Sequence, residues 1–166
     1  KVYVDNYLEG YHIPLVHPGL FQELDYNAYR VEAARFHSKQ KAPIRPRREE
    51  SLYKRHLADG EAPEALYYWV FPNLMLNFYP WGLSVNFVQP RTMAHTTVSF
   101  RSYVWDAAKL DAGAGSALDR VEAEDEAVVL AVQRGVAPRF YKHGRYSPAR
   151  ERGVHHFHRL LCEFLG

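Results

Sequence analysis

Hydrophobic positions recur along the chain in two rhythms, and the switches between them mark out its elements. Over residues 2–12 the apolar side chains fall at Val4, Leu8 and Tyr11, the spacing of one helical face. Tyr29 to Phe36 then alternates in the order Tyr29, Arg30, Val31, Glu32, Ala33, which predicts a strand. Residues 37–65 are polar and broken by Pro43, Pro46, Gly60 and Pro63, so they read as a long loop, with a short helix at about 52–57. Four runs rich in Tyr, Phe, Val and Trp follow, at 66–71, 74–79, 83–89 and 95–105. The breakers between the first three are short, Pro72-Asn73 and Pro80-Trp81-Gly82, and Pro90-Arg91 begins the next break, which predicts antiparallel hairpins. After the break Gly113-Ala114-Gly115, a helix is predicted over 118–134 and closed by Gly135. A last helix starts after Ser147-Pro148, with Ser147 as its cap, and runs to about Phe164. Helix, antiparallel strands, then long helices packed on the sheet is an α+β order.

Composition narrows this picture little. The chain has 166 residues, enough for one domain with a real core. Aromatics make up 14% and Tyr outnumbers Phe, 12 to 9, which suits a half-buried sheet or an aromatic-lined cavity. A net charge of +2 gives no case for nucleic acid. The basic run Arg45-Pro46-Arg47-Arg48 is followed by Glu49-Glu50 and reads as a solvated loop. No apolar run reaches membrane-spanning length. The single cysteine, Cys162, excludes a disulfide framework within the chain and points to a reducing, cytoplasmic setting.

The candidate chemistry begins at Glu9, His12 and His17. Imidazole holds divalent transition metals through a neutral ring nitrogen. On an ideal helix His12 and His17 lie about 140° apart, too far round for one ion. Pro14 removes a backbone donor and crowds the carbonyl of Gly10, so the helix is expected to kink or end near His12, with His17 swinging back. The second signal is Asp125, set in the middle of the apolar stripe Leu118, Val121, Val128, Val132. With Val121 as origin, Asp125 lies at about 40°, Val128 at about −20° and Val132 at about 20°. A carboxylate there is costly without a partner. That partner is either an arginine of the sheet, such as Arg91 or Arg101, or a metal shared with the two histidines, since two imidazoles and a carboxylate make the facial triad that holds Fe(II) with positions left open. Glu122 and Glu126 point away from the stripe, and Glu124 lies on its flank. Among His155, His156 and His158, helical geometry puts only His158 on the core face and leaves the other two solvated.

Together these residues resemble a known family. Asn6-x-x-Glu9-x-Tyr11-His12-x4-His17-Pro18, with Glu124-Asp125 and then Gln133-Arg134-Gly135, is similar to the catalytic domain of Rieske non-haem iron oxygenase alpha subunits, the ring-hydroxylating dioxygenases and their monooxygenase relatives. The tail Gly144-Arg145-Tyr146-Ser147-Pro148 and Glu151-x-Gly153-Val154-His155-His156-Phe157 resembles the branch containing choline and glycine-betaine monooxygenases. The resemblance implies a START-like helix-grip fold, a curved antiparallel sheet closed over long helices. It implies a mononuclear Fe(II) on His12, His17 and Asp125, with Glu9 as the carboxylate that bridges toward a Rieske [2Fe-2S] cluster. It further implies a trimer, electrons from NAD(P)H through a reductase, and use of O2 to hydroxylate or N-demethylate a small organic substrate. A quaternary ammonium or amine is expected ahead of an aromatic ring, with Asn77 and Tyr79 as candidate substrate contacts. A Rieske cluster needs two Cys and two His; with Cys162 alone, the cluster domain is expected to precede Lys1, leaving 1–166 as a catalytic domain fragment.

Two other readings fit the same residues. A metal-free START-like module would hold an apolar ligand in the same grip, with His12, His17 and Asp125 as a buried polar network. A zinc hydrolase is weaker, for want of a general base beyond Glu9.

Overall fold

A computed structural model describes residues 1–44, 64–79, 81–110, 118–137 and 141–166. The expected helix at 52–57 and the break at 113–115 lie outside the described residues. Three short helices open the chain: α1 (Val2–Tyr7), α2 (Ile13–Val16) and α3 (Pro18–Glu23). Six strands follow: β1 (Arg30–Ala33), β2 (His37–Pro43), β3 (Glu64–Val70), β4 (Leu74–Tyr79), β5 (Gly82–Pro90) and β6 (Thr96–Val104). Two long helices close it, α4 (Leu118–Val136) and α5 (Arg152–Leu165). The strands form one sheet in the order β1-β2-β3-β4-β5-β6, every neighbouring pair antiparallel. The α+β expectation therefore holds, and no helix of the described residues is long and apolar enough to cross a membrane.

Alternation decides which face of the sheet is covered. Trp69, Met75 and Val88 point inward from β3, β4 and β5 and meet Val4 and Leu8 of the first segment and Val154, Phe157 and Leu160 of α5. A second cluster joins Leu24, Ala42, Ile44, Ala65, Tyr79 and Trp81 at the other end of the same face. The inward positions between the clusters are polar: Gln40, Asn77, Ser84 and Asn86 are all buried. They bond one another and their neighbours. Asn77 Nδ2 donates to Asn86 Oδ1 at 3.3 Å, and the Tyr7 hydroxyl donates to Asn77 Oδ1 at 2.7 Å. A polar strip is thus built into the middle of the covered face, where a ligand cleft needs it.

Three expectations fail here. Residues 37–43, read as loop, are strand β2, paired on both sides. Its inward residues are Ser38, Gln40 and Ala42, small or polar rather than apolar, so hydropathy carries no period-two signal. Burial of Gln40 is stabilised instead by hydrogen bonds with Tyr29 and with the Tyr7 carbonyl. The first helix ends at Tyr7, not near His12. Beyond it the Glu9 carboxylate accepts from the backbone N–H groups of Tyr11 and His12, an alternative to helical bonding that turns the chain. Pro14 then sits in the first turn of α2, where its missing donor costs nothing. Ser147 does not cap α5; Glu151 is the N-cap residue and its side chain accepts from the Ser147 N–H.

The seat of α5 on α1 requires a glycine. A Cβ at Gly153 would lie 2.6 Å from the Leu8 carbonyl oxygen, so only hydrogen fits. Gly153→Ala is expected to lower stability by about 1–3 kcal/mol, the usual range for overpacking. Urea unfolding of the variant checks this; an unchanged midpoint would show that α5 is not held at this distance.

Candidate metal centre

The turn made by Glu9 delivers two histidines from neighbouring short elements. His12 caps α2 and His17 separates α2 from α3. Gly10 lets this turn lie against Tyr29, whose ring would be 2.9 Å from a Cβ at that position. The two imidazoles meet edge to face, their centroids 5.0 Å apart. Helix α4 packs against α1 and brings Asp125 to them. His17 Nε2 lies 3.0 Å and His12 Nε2 3.4 Å from Asp125 Oδ1. One ligand atom from each of the three falls within 4.8 Å of the others, a grouping able to hold a metal ion. Asp125 pairs with neither Arg91 nor Arg101; Arg91 bonds Gln89 and Thr97 instead.

The other ring nitrogens are anchored. His12 Nδ1 is 2.6 Å from Glu9 Oε1, and His17 Nδ1 is 2.8 Å from Glu124 Oε2. A carboxylate at each Nδ1 favours the proton there and turns the Nε2 lone pair toward Asp125, the arrangement that orients and strengthens imidazole ligands. Arg120 steadies Glu124 from the far side, Nε to Oε1 at 2.9 Å. Asn6 fixes Asp125, its Nδ2 donating to Oδ1 at 2.7 Å. Burial pulls the pKa of His17 down, but hydrogen bonds to Asp125 and Glu124 outweigh it and hold the pKa above that of ordinary imidazole. The His17 bond, with Arg120 behind it, holds Glu124 below the usual carboxylate range.

The cluster sits in the wall of an open cleft in the covered face of the sheet. Asn77 and Tyr79 both line it, as do Tyr67 and Asn86. Trp69 and Trp81 are core residues instead; Trp81 stacks on Tyr79 at 5.3 Å. His158 is satisfied as expected, between Tyr146 and Asp5. His156 is not solvated: it lies edge-on to Trp69, and burial lowers its pKa.

The sequence pattern missed two carboxylates. Glu124, on the flank of the wheel, is the His17 anchor. Glu122, expected to point away, lines the cleft because α4 presents a broad arc, from Leu118 through Val121 and Glu122 to Asp125, rather than a narrow stripe. Neither could be found from apolar spacing, since each is defined by a partner or space on another element.

An antiparallel sheet with helices packed on one face, and a two-histidine, one-carboxylate cluster beside an open cleft, define an α+β domain with a candidate metal centre. The chain belongs to the family described as ring hydroxylating alpha subunit (catalytic domain), which it matches over residues 1–166. That is the catalytic domain of Rieske oxygenases, a family that generally uses non-haem iron and a Rieske cluster. The chain is 35% identical to chloroplastic choline monooxygenase of Arabidopsis thaliana over 167 residues, 97% of this chain and 38% of that protein. The figure for the Beta vulgaris choline monooxygenase is 33% over 171 residues, 99% and 37% of the two chains. A solved quaternary ammonium Rieske monooxygenase, described in terms of carnitine oxidation by gut microbiota, superposes with a TM-score of 0.76 at 25% identity, over 98% of this chain and 46% of that one. The quaternary ammonium Rieske monooxygenase CntA in complex with L-carnitine shares the fold at a TM-score of 0.68 and 24% identity, over 98% and 44%. The chain thus spans under half the length of these relatives.

Glu122 gives a pH test. Burial first, then the charges of Asp119 and Asp125, raise its carboxyl to about 7. The folded chain then binds more protons than the unfolded one between the ordinary carboxylate range and about pH 7, so stability falls as pH rises through that window. Glu122→Gln removes the penalty. In thermal unfolding of the metal-free protein the variant is expected to gain over wild type at pH 8 and to match it at pH 5; a gain that does not change with pH would contradict the assignment.

Proposed function

We propose that this chain is the iron-bearing domain of a Rieske-type monooxygenase acting on a small quaternary ammonium or amine. The observation that carries the reading is the orientation of the histidines: both Nε2 atoms face Asp125 while both Nδ1 atoms are tied to carboxylates. This donor set fits Fe(II), which takes imidazole and carboxylate ligands. His12, His17 and Asp125 would hold the ion. The chemistry such an ion supplies when bound is activation of O2 toward a substrate C–H bond.

The chain's own residues do the rest. Glu9 and Glu124 fix the imidazole tautomers, and Asn6 fixes the carboxylate. Asn77, Tyr79 and neighbouring tyrosines line the cleft in which a substrate would be positioned and kept from bulk water. Aromatic faces there favour a cationic head group. The relatives' names, choline and quaternary ammonium monooxygenases, support monooxygenation over ring dioxygenation; oxidation of a carbon beside nitrogen would lead to demethylation. The sheet and its helices are read as the START-like helix grip. Glu9, already bonded to His12, is the proposed link to a Rieske cluster in a domain outside this chain, supplied by a neighbouring subunit of a trimer and fed from NAD(P)H by a reductase. Cys162, exposed and free, suits the proposed cytoplasmic setting.

The test is anaerobic addition of ferrous iron and nitric oxide, followed by electron paramagnetic resonance. A high-spin iron–nitrosyl signal is expected in wild type and absent in His12→Ala and Asp125→Ala. Glu124→Gln is expected to keep the signal but weaken iron binding about 10–100-fold. A signal that persists in both ligand variants sinks the assignment, and no iron uptake by wild type favours the metal-free binding module.

A further inference from the structure

Among the described residues, Glu122 is a carboxylate without a cation. It is half-buried, lines the cleft, and makes no hydrogen bond or ion pair with the described residues. Its neighbours in charge are Asp119 and Asp125, both of its own sign. Among the described residues that line the cleft there is no Lys or Arg; the charged side chains are Glu9, Glu122 and Asp125. Glu9 is occupied by His12 and Asp125 by both histidines and Asn6. A buried carboxylate ordinarily has a partner, and the described residues offer none.

Much of the rest of the lining is aromatic. Tyr3, Tyr7, Tyr29, Tyr67 and Tyr79 all line the cleft. Burial raises the Tyr3 and Tyr79 phenols well above their usual range, and the charges of Glu122 and Asp125 add to it, so both stay neutral. Neutral phenol faces attract a cation and repel no part of it. A second feature points to a ligand independently. The Tyr67 hydroxyl, also in the lining, is shielded from solvent and has no hydrogen-bond partner among the described residues. A buried hydroxyl left unpaired costs free energy that a ligand's own polar group would recover.

We propose that Glu122 is the specificity-determining counter-ion of the cleft, selecting a compact organic cation with an uncharged polar tail and rejecting carboxylate-bearing substrates. The inference rests on the substrate cleft assigned above and sharpens it. A zwitterion would bring its carboxylate into a cleft that already holds three anionic side chains, with Tyr67 able to offer a hydrogen bond but no charge. A cation ending in a hydroxyl meets Glu122 and the tyrosine faces at one end and satisfies Tyr67 at the other.

Three probes of similar length separate the contributions: (3-hydroxypropyl)trimethylammonium, its uncharged carbon isostere 4,4-dimethyl-1-pentanol, and the zwitterion 3-(trimethylammonio)propanoate. Isothermal titration calorimetry at pH 8 on the intact protein is expected to show the cation binding at least about tenfold more tightly than either other probe. In Glu122→Gln the cation should lose about tenfold or more while the neutral alcohol stays within about twofold. Retention of the cation-to-alcohol ratio in Glu122→Gln overturns the proposal, as does a zwitterion that binds wild type as well as the cation, or no cation binding at all. The iron–nitrosyl signal, read in parallel, keeps the two readings apart. Glu122→Gln should leave it intact; its loss there would assign Glu122 to the metal ligands and also overturn the proposal. Selective cation binding by a protein that takes up no iron would instead remove the oxygenase reading and leave Glu122 in its role.

Discussion

The arrangement depends on one carboxylate. Asp125 stands in the inward arc of α4, and its Oδ1 is met by His12, His17 and Asn6, all from the first seventeen residues. This ties the opening segment of the chain to α4 beside the cleft. The sheet and α5 form a core that needs no such link, since Trp69, Met75 and Val88 pack against Val154, Phe157 and Leu160 without it. The opening segment is different. Its helices are four to six residues long and too short to be stable alone. Hydrogen bonds from Glu9 and Glu124 and the contact with Asp125 hold what helix propensity cannot.

That economy explains the polar character of the interior. A cleft in the covered face of a sheet removes apolar contacts, and the chain replaces them with a strip of amide and phenol groups that bond each other. Gln40, Asn77 and Asn86 are buried without penalty because each has a partner. Glu122 and Tyr67 break this rule. An unpaired carboxylate and hydroxyl lining a cleft mark where stability has been given up for recognition.

How much of this was legible in the sequence follows from the same division. Strands β3 to β5 and helix α5 announce themselves because burial on one face imposes a period, and β6 through its run of Thr, Val, Phe and Tyr. Asp125 was legible for the opposite reason, as a charge where the period demanded an apolar residue. β2 was not, since its inward face is Ser38, Gln40 and Ala42 and its environment is made by Tyr7 and Tyr29 from elsewhere. The early end of α1 was hidden too. Glu9 looked like a helical neighbour of His12 and acts instead on the backbone of the turn. Glu124 and Glu122 gain their meaning only from His17 and from the cleft, neither of which is local to α4.

The central claim is that His12, His17 and Asp125 share one ferrous ion. Crystals of the protein grown anaerobically with ferrous iron, measured on both sides of the iron absorption edge, test it most directly. A single anomalous peak is expected, bounded by Nε2 of His12, Nε2 of His17 and the Asp125 carboxylate. An iron peak at any other set of residues, or none between these three when iron is bound in stoichiometric amount, would contradict it.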